Sequence, residues 1–215
     1  MIAHFPRERA VRITATFAAA ATLALVGPFM EKFNNPICHA TALIFSSGWA
    51  WACFAFMVGF LCRSKIESAL LASSTLAVAV VVYYAFKAIL PTTPVGVVVS
   101  SKVGDGLTSS ILVWGIAAFA FGAPVGLLGN IARTPGIGGI PYRLLIPLVA
   151  FIETSARLDT EASSQGQFVA NTWSIIRIAA VLTAVALLVH GLTTWRTQRD
   201  RPDADIGVGA RKERS

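Results

Sequence analysis

Six stretches of mostly apolar residues, each about as long as a membrane is thick, occupy most of this chain. They run approximately over 11–31, 44–62, 66–90, 107–132, 142–158 and 172–195. A helix of about 20 apolar residues, rising about 1.5 Å per residue, crosses the hydrocarbon core of a bilayer. Only 13% of the 215 residues are charged, which is about half the usual share in a soluble domain. The sequence therefore predicts an all-α, polytopic bundle of six transmembrane helices.

The positions of the cationic residues predict how this bundle is oriented. Thirteen of the 18 lysines and arginines fall on one side of the six spans, and five fall on the other. Such residues collect in cytoplasmic loops, so we predict an inner-membrane protein with both termini in the cytoplasm. The membrane domain is assigned to 1–195. The basic segment 196–215 has no apolar period and is predicted to be a disordered cytoplasmic tail.

Several functional classes are excluded by the same pattern. The net charge is +7, but the cations alternate between loops instead of forming one basic face, so no nucleic-acid partner is predicted. Cys38, Cys53 and Cys62 show no C-x-x-C spacing, and the three histidines are scattered. We therefore predict no metal site, and nothing indicates a cofactor. The oligomeric state is left open, and the expected partners are the lipid bilayer and a small molecule.

Glycines are concentrated in the fourth span, at Gly115, Gly122, Gly126 and Gly129. Small residues on a transmembrane helix allow neighbouring helices to approach closely. We interpret this series as tight packing within the molecule in preference to a dimer contact.

Acidic and aromatic residues gather at the end of the bundle that has fewer cations. Glu153 is central, because it lies about eleven residues, or roughly 16 Å, into the fifth span, where ionisable groups are expensive and usually functional. One interpretation is an ion pair with Arg157 or Arg177 that fixes helix register. The other is a carboxyl group that transfers a proton or binds a ligand. The candidate acids and bases are Glu153, Glu31, Asp105, Asp159 and Glu161, and the candidate ligand contacts are Trp49, Trp51, Tyr84, Trp114, Trp173 and Arg177.

The surroundings of these candidates are also predicted. Asp159 and Glu161 are expected just beyond the fifth span, where water is available, and Asp105 is expected to cap the fourth span. The segment 31–35 is expected to fold back across the mouth of the bundle. The connection containing Pro91 and Pro94 is expected to act as a lid.

Five short segments resemble a widespread uncharacterised family of small six-helix bacterial membrane proteins. They are 46–52 (SSGWAWA), 58–64 (VGFLCRS), 82–84 (VYY), 121–126 (FGAPVG) and 150–153 (AFIE), and the similarity covers roughly residues 15–195. Small membrane-integrated terpene cyclases, which act on prenylated natural products, are similar in size and helical architecture. No catalytic motif of those cyclases is matched residue by residue. The resemblance implies a helical membrane fold and suggests prenylated substrates.

Terpene cyclisation is the leading functional hypothesis. It needs a neutral carboxylic acid that protonates an alkene or epoxide, and aromatic faces that stabilise carbocations. Glu153 is the predicted proton donor, with the other acids as substitute donors or as the final base. The chain has no D-D-x-x-D run, so we do not expect magnesium-dependent ionisation of a diphosphate. Two alternatives remain: a solute-binding subunit of a vitamin-type transporter, and a non-catalytic assembly or immunity protein.

Overall fold

The structure, a computed structural model, describes the backbone of residues 4–90 and 103–199. Over these residues the chain is all-helical, as predicted. The helices are α1 (His4–Met30), α2 (Pro36–Phe45), α3 (Gly48–Leu61), α4 (Lys65–Ile89), α5 (Val103–Ile131), α6 (Ile140–Arg143), α7 (Leu145–Gln165) and α8 (Gln167–Arg199), and a 3₁₀ turn covers Ile137–Gly139. The predicted lid with Pro91 and Pro94 and residues 200–215 of the predicted tail lie outside the described residues. Residues 196–199, which were also assigned to the tail, belong to α8.

Within the described ranges, five helices are long and apolar enough to cross a membrane. They cover Glu8–Met30, Lys65–Ile89, Gly106–Ile131, Ile137–Glu161 and Gln167–Thr197. A sixth span is obtained if α2 and α3 are counted together, although their axes are bent by 59°. The chain therefore has the architecture of a membrane-spanning protein. The inner-membrane location and the cytoplasmic placement of both termini stay predictions.

The second predicted span is wrong as a single continuous helix. The side chain of Asn35 caps α2 by accepting a hydrogen bond from the N–H of Ile37, and Pro36 occupies the first turn, so α2 starts before the predicted boundary. The helix then ends at Phe45, and Ser47 adopts the extended backbone of a helix-start residue. Consequently the first N–H groups of α3 lie in the middle of an apolar sequence. They have no partner within their own helix and need acceptors from another part of the chain.

Glycines of α5 bring three helices into backbone contact. A Cβ atom added to Gly126 would lie 2.7 Å from the carbonyl oxygen of Ser68 on α4, and one on Gly122 or Gly129 would also meet the backbone of a neighbouring helix. The predicted tight packing within the molecule is confirmed at these three positions. Gly115 differs, because nothing lies within 4 Å of where its Cβ atom would be.

Cationic side chains meet at one end of the bundle, which we call the closed end and define by Cys62, Glu67 and Arg133. Arg12 donates a hydrogen bond to Glu67 at 2.8 Å. Arg133 donates to the carbonyl oxygen of Cys62 at 2.6 Å, and Arg143 donates to the carbonyl that follows α5 at 2.9 Å. Cations at helix C-termini complement the helix dipole. Arg12, Arg133 and Arg143 therefore lie at the same end of the bundle. The placement of all thirteen cations on one side of a membrane stays a prediction.

The opposite end, which we call the open end and define by Gly48, Tyr84 and Glu153, is the end at which α3 begins and α4 finishes. α5 packs on α3 and α4, whereas α7 packs on α8 and α3. α3 is therefore shared by two groups of helices, and the site described below lies where these groups separate.

Candidate functional site

A cavity of about 520 Å³ lies between α3, α4, α5 and α7 and includes the open end. Its volume falls within the range of small-molecule sites, which is roughly 300–1,000 Å³. Its lining is mostly apolar and aromatic, and only Glu153 and Arg157 carry charges. The lining residues are Ser46, Gly48, Trp51, Ala52, Ala55, Leu76, Val80, Tyr83, Tyr84, Trp114, Ala117, Ala118, Phe121, Val125, Glu153 and Arg157.

The carboxylate of Glu153 meets the N-terminus of α3. It accepts hydrogen bonds from the backbone N–H groups of Gly48 at 2.9 Å and Trp49 at 2.6 Å, and from Nε of Arg157 at 3.0 Å. Ser47 precedes the helix but makes no capping hydrogen bond through its side chain, so Glu153 supplies the acceptors from another helix. An anion at a helix N-terminus is favourable, and hydrogen bonds to a charged acceptor are strong. Glu153 thus joins α7 to α3 while lining the cavity.

Arg157 is held in place by three side chains. Besides Glu153, its Nη1 donates to Glu161 at 2.8 Å, and its guanidinium carbon lies 4.9 Å from the centre of the Trp173 ring. Trp173 is fully buried, and its indole N–H donates to Glu161 at 3.0 Å. Guanidinium groups pair with carboxylates and stack on aromatic faces in this way. The guanidinium is therefore positioned by the protein before any ligand binds.

Aromatic side chains form one wall of the cavity. The rings of Trp51 and Tyr83 meet edge to face at 6.0 Å, and those of Tyr83 and Tyr84 do so at 5.3 Å. The indole N–H of Trp51 donates to the carbonyl oxygen of Phe45 at 2.9 Å, across the break between α2 and α3. This hydrogen bond fixes the Trp51 ring, so the wall is preformed.

The cavity opens sideways along α5. Trp114 and Phe121 both line it, yet they are 57% and 71% exposed. Exposed apolar side chains on a transmembrane span contact lipid, because the span is surrounded by hydrocarbon. The lining of the cavity therefore includes side chains on the outer surface of the bundle.

A second group of polar side chains lies near the cavity at the same end. Lys87 pairs with Glu31 at 3.4 Å, and its ammonium nitrogen lies 5.1 Å from the centre of the Tyr83 ring. Lys32 donates to the carbonyl oxygen of Leu90 at 2.8 Å. These contacts tie the segment after α1 to the end of α4. Glu31 is therefore engaged beside the cavity and is not part of its lining.

Four of the predicted site residues line the cavity, namely Glu153, Trp51, Tyr84 and Trp114. Trp49 contributes its backbone N–H, while Trp173 and Glu161 hold Arg157. The remaining candidates lie elsewhere: Asp159 is exposed on α7, Arg177 is half-buried on α8, and Asp105 is in the first turn of α5, where only the backbone is described. Asp159 and Glu161, which were expected just beyond the fifth span, lie on α7, because this helix continues to Gln165.

Of the two ion pairs considered for Glu153, the structure forms the one with Arg157. Sequence reasoning named this pair but did not predict that Arg157 lines a cavity, and it missed Gly48, Tyr83 and Phe121. The sequence did contain one signal for the contact between Glu153 and α3. The Ser-Ser-Gly sequence at 46–48 between two apolar runs is typical of a helix start, and a helix start in an apolar environment requires an acceptor for its N–H groups.

Within the part of the chain that the structure describes, no group of three or more histidine, cysteine, aspartate or glutamate side chains is arranged to hold a metal ion. The chain matches no protein-family model, no curated protein and no solved structure. The resemblance to six-helix membrane proteins therefore rests on the segments quoted above, and the interpretation of the site rests on its geometry.

Proposed function

We propose that this membrane protein binds a prenylated small molecule in the cavity and cyclises its prenyl chain. The observation that carries the proposal is that a carboxylate–arginine pair and an aromatic wall line the same cavity. A site that is apolar along its length and charged at one end is complementary to a molecule with an apolar chain and a polar group. The prenyl chain would lie against Trp51, Tyr84 and Trp114, with its polar group at Glu153 and Arg157.

The proposed reaction adds a proton to the alkene or epoxide nearest the polar group, within reach of Glu153, and later removes one from the final carbocation. Aromatic faces such as those of Trp51 and Trp114 favour cations between these two steps. If Glu153 both gives the proton and takes one back, the substrate is isomerised and the enzyme is regenerated. In the resting structure Glu153 accepts hydrogen bonds from three N–H groups. A carboxylate in this arrangement can take up the proton that leaves the final carbocation. The donating step requires a protonated Glu153 that has given up at least one of these contacts.

The charges around Arg157 indicate the chemical class of the polar group. One guanidinium lies between two carboxylates, Glu153 and Glu161, so this cluster carries more negative than positive charge. An anionic group such as a diphosphate would be repelled. The proposed substrate therefore has a neutral or cationic polar group, in agreement with the lack of a D-D-x-x-D run.

A second candidate function is ligand capture without reaction, as in the solute-binding subunit of a transporter. The break between α2 and α3 favours it, because discontinuous helices are typical of ligand sites in transporters. In this case the same cavity holds a molecule that leaves unchanged. The third hypothesis, an assembly or immunity protein, predicts that no ligand is held in the cavity.

One experiment separates these functions. Purified protein in lipid nanodiscs is incubated with a farnesylated phenol, and the extracted molecules are analysed by liquid chromatography and mass spectrometry. Cyclisation leaves the mass unchanged and shifts the retention time, whereas capture returns the original compound. Conversion that depends on Glu153 supports the cyclase. A Glu153→Gln variant that cyclises fully shows that the assigned acid is wrong, and absence of both retention and conversion contradicts the proposal.

A further inference from the structure

The cavity is elongated along the helix axes. Its lining on α5 runs from Trp114 to Val125, a separation of eleven residues or about 16 Å at the helical rise. The charged groups and the two tyrosines lie at the open end of this path. Leu76 of α4 and Ala55 of α3 lie at the other end, towards the middle of the bundle.

This inner end is closed by the glycine contacts. Gly126 follows Val125 directly, and a Cβ atom there would lie 2.7 Å from the carbonyl oxygen of Ser68. A Cβ atom on Gly59 of α3 would collide with the backbone of Gly126. α3, α4 and α5 are thus in backbone contact directly beyond the cavity, so no chain can extend further between them.

The residues at this inner end, which we call the floor and define by Ala55, Leu76 and Val125, are fixed in position. Ala55 is fully buried and Leu76 is 6% exposed, and both belong to one packed core cluster against which Val125 also packs. Protein interiors of this kind are close-packed and do not deform continuously. The floor is therefore rigid, whereas the side opening runs from Trp114 to Phe121 and ends about 6 Å, or one helical turn, before the floor at Val125.

We propose that this floor limits the length of the apolar chain that the cavity can hold, so that the site accepts a farnesyl chain and discriminates against a longer one. The inference rests on the proposed function, in which the ligand is prenylated. With carbon–carbon bonds of about 1.5 Å in a zigzag, a farnesyl chain extends about 14 Å and a geranylgeranyl chain about 19 Å. The depth of about 16 Å lies between these two lengths.

Three positions set the available length. Ala118 lines the cavity about 6 Å along α5 from Trp114, and a leucine there would fill the path midway. Leu76 and Val125 form the floor, and replacing either by alanine would deepen the cavity. Ala120 provides a matched control, because it is exposed on the same helix and is not among the lining residues.

The test is a competition between three phenols that carry two, three or four isoprene units. Equal amounts are offered to the protein in nanodiscs, and the retained compounds are quantified by mass spectrometry against empty nanodiscs. Wild-type protein should retain the farnesyl compound over the geranylgeranyl compound by about tenfold, because a longer chain stopped at the floor holds its polar group about 3 Å away from Glu153 and Arg157 and loses a hydrogen bond there. Ala118→Leu should lower farnesyl retention by about tenfold, because only about 6 Å of the path remains. Val125→Ala or Leu76→Ala should raise geranylgeranyl retention.

The outcomes separate the two proposals. Ala120→Leu should leave the retention ratios as in the wild type. If all three chain lengths are retained with ratios that none of the lining variants changes, the chain-length inference is wrong while ligand binding stands. If wild-type protein retains none of the compounds, the proposed function fails and the inference fails with it.

Discussion

The two ends of the bundle contain the same chemical pair in different surroundings. At the closed end Glu67 pairs with Arg12 at 2.8 Å, and at the open end Glu153 pairs with Arg157 at 3.0 Å. The two glutamate side chains are similarly exposed, 16% and 22%, so exposure does not distinguish them. The difference is the space beside them, because only Glu153 lines the cavity. The pair at the open end therefore lies beside a cavity, whereas the pair at the closed end joins α1 to α4.

α3 connects the two ends and is capped differently at each. Its N-terminal N–H groups are received by Glu153, and the carbonyl oxygen of Cys62 after its C-terminus accepts from Asn130 and Arg133, each at 2.6 Å. An anion at the start and a cation at the end both match the helix dipole. The capping groups come from other helices, so α3 fixes the positions of α5 and α7 relative to each other.

The largest expected effect tests this comparison directly. Glu153→Gln should lower conversion of the farnesylated phenol by about 10²-fold or more, since an amide cannot exchange the proton. Glu67→Gln makes the same change at the closed end and should leave conversion within about twofold, because general acid–base effects require contact with the reacting group. Rates are measured by chromatography of the extracted products. Equal losses in the two variants would show that the carboxylates share a structural role.

The glycines of α5 offer a second contrast between the ends. Gly126→Ala should destabilise the protein by about 2–3 kcal/mol, because its Cβ atom overlaps the backbone of α4 at the closed end. Gly115→Ala, where the site is open, should be neutral or stabilise the helix by up to about 1 kcal/mol. Unfolding in mixed detergent and SDS micelles, followed by circular dichroism, measures both free energies. Similar values for the two variants would contradict the assignment of the close helix crossing.

The aromatic wall gives a third test, which separates the reaction from binding. Trp114→Leu should slow conversion by about tenfold while retaining most binding, because leucine keeps an apolar surface but cannot stabilise a cation. Phe119→Leu is the control, since Phe119 is 50% exposed on the same helix and is not among the cavity-lining residues. The comparison uses kcat for conversion and the amount of substrate retained. If the Trp114 and Phe119 variants behave alike, the cavity wall has no role in the reaction.

Much of the helical architecture was predictable, because long apolar runs dominate the sequence. The predicted boundaries of the third and fourth spans lie within a few residues of Lys65–Ile89 and Gly106–Ile131. The second span was wrong, since residues on both sides of Ser46 and Ser47 are apolar and average hydropathy does not register a break of two residues. The local signal was the Ser-Ser-Gly sequence itself.

The candidate site was predictable only in part. Spacing four residues apart on one helix predicts contact between Glu153 and Arg157, and the structure shows it. The contacts of Glu153 with α3 join residues more than a hundred positions apart, and no periodicity in the sequence encodes that distance. The cavity depends on where α5 crosses α4, which is set by the three-dimensional contact of Gly126 with Ser68.

The smallest expected effect concerns the polar side chains of the closed end. Arg133→Met removes one of two donors to the carbonyl oxygen of Cys62, while Asn130 keeps its hydrogen bond to the same oxygen. The free energy of unfolding should therefore fall by only about 0.5–1 kcal/mol, the usual contribution of a cation at a helix C-terminus. Retention of the farnesylated phenol should be unchanged, because Arg133 lies beyond the glycine contacts that close the cavity. A change in retention at constant stability would mean that the two ends communicate through α3, and that the cavity is not an independent feature of the open end.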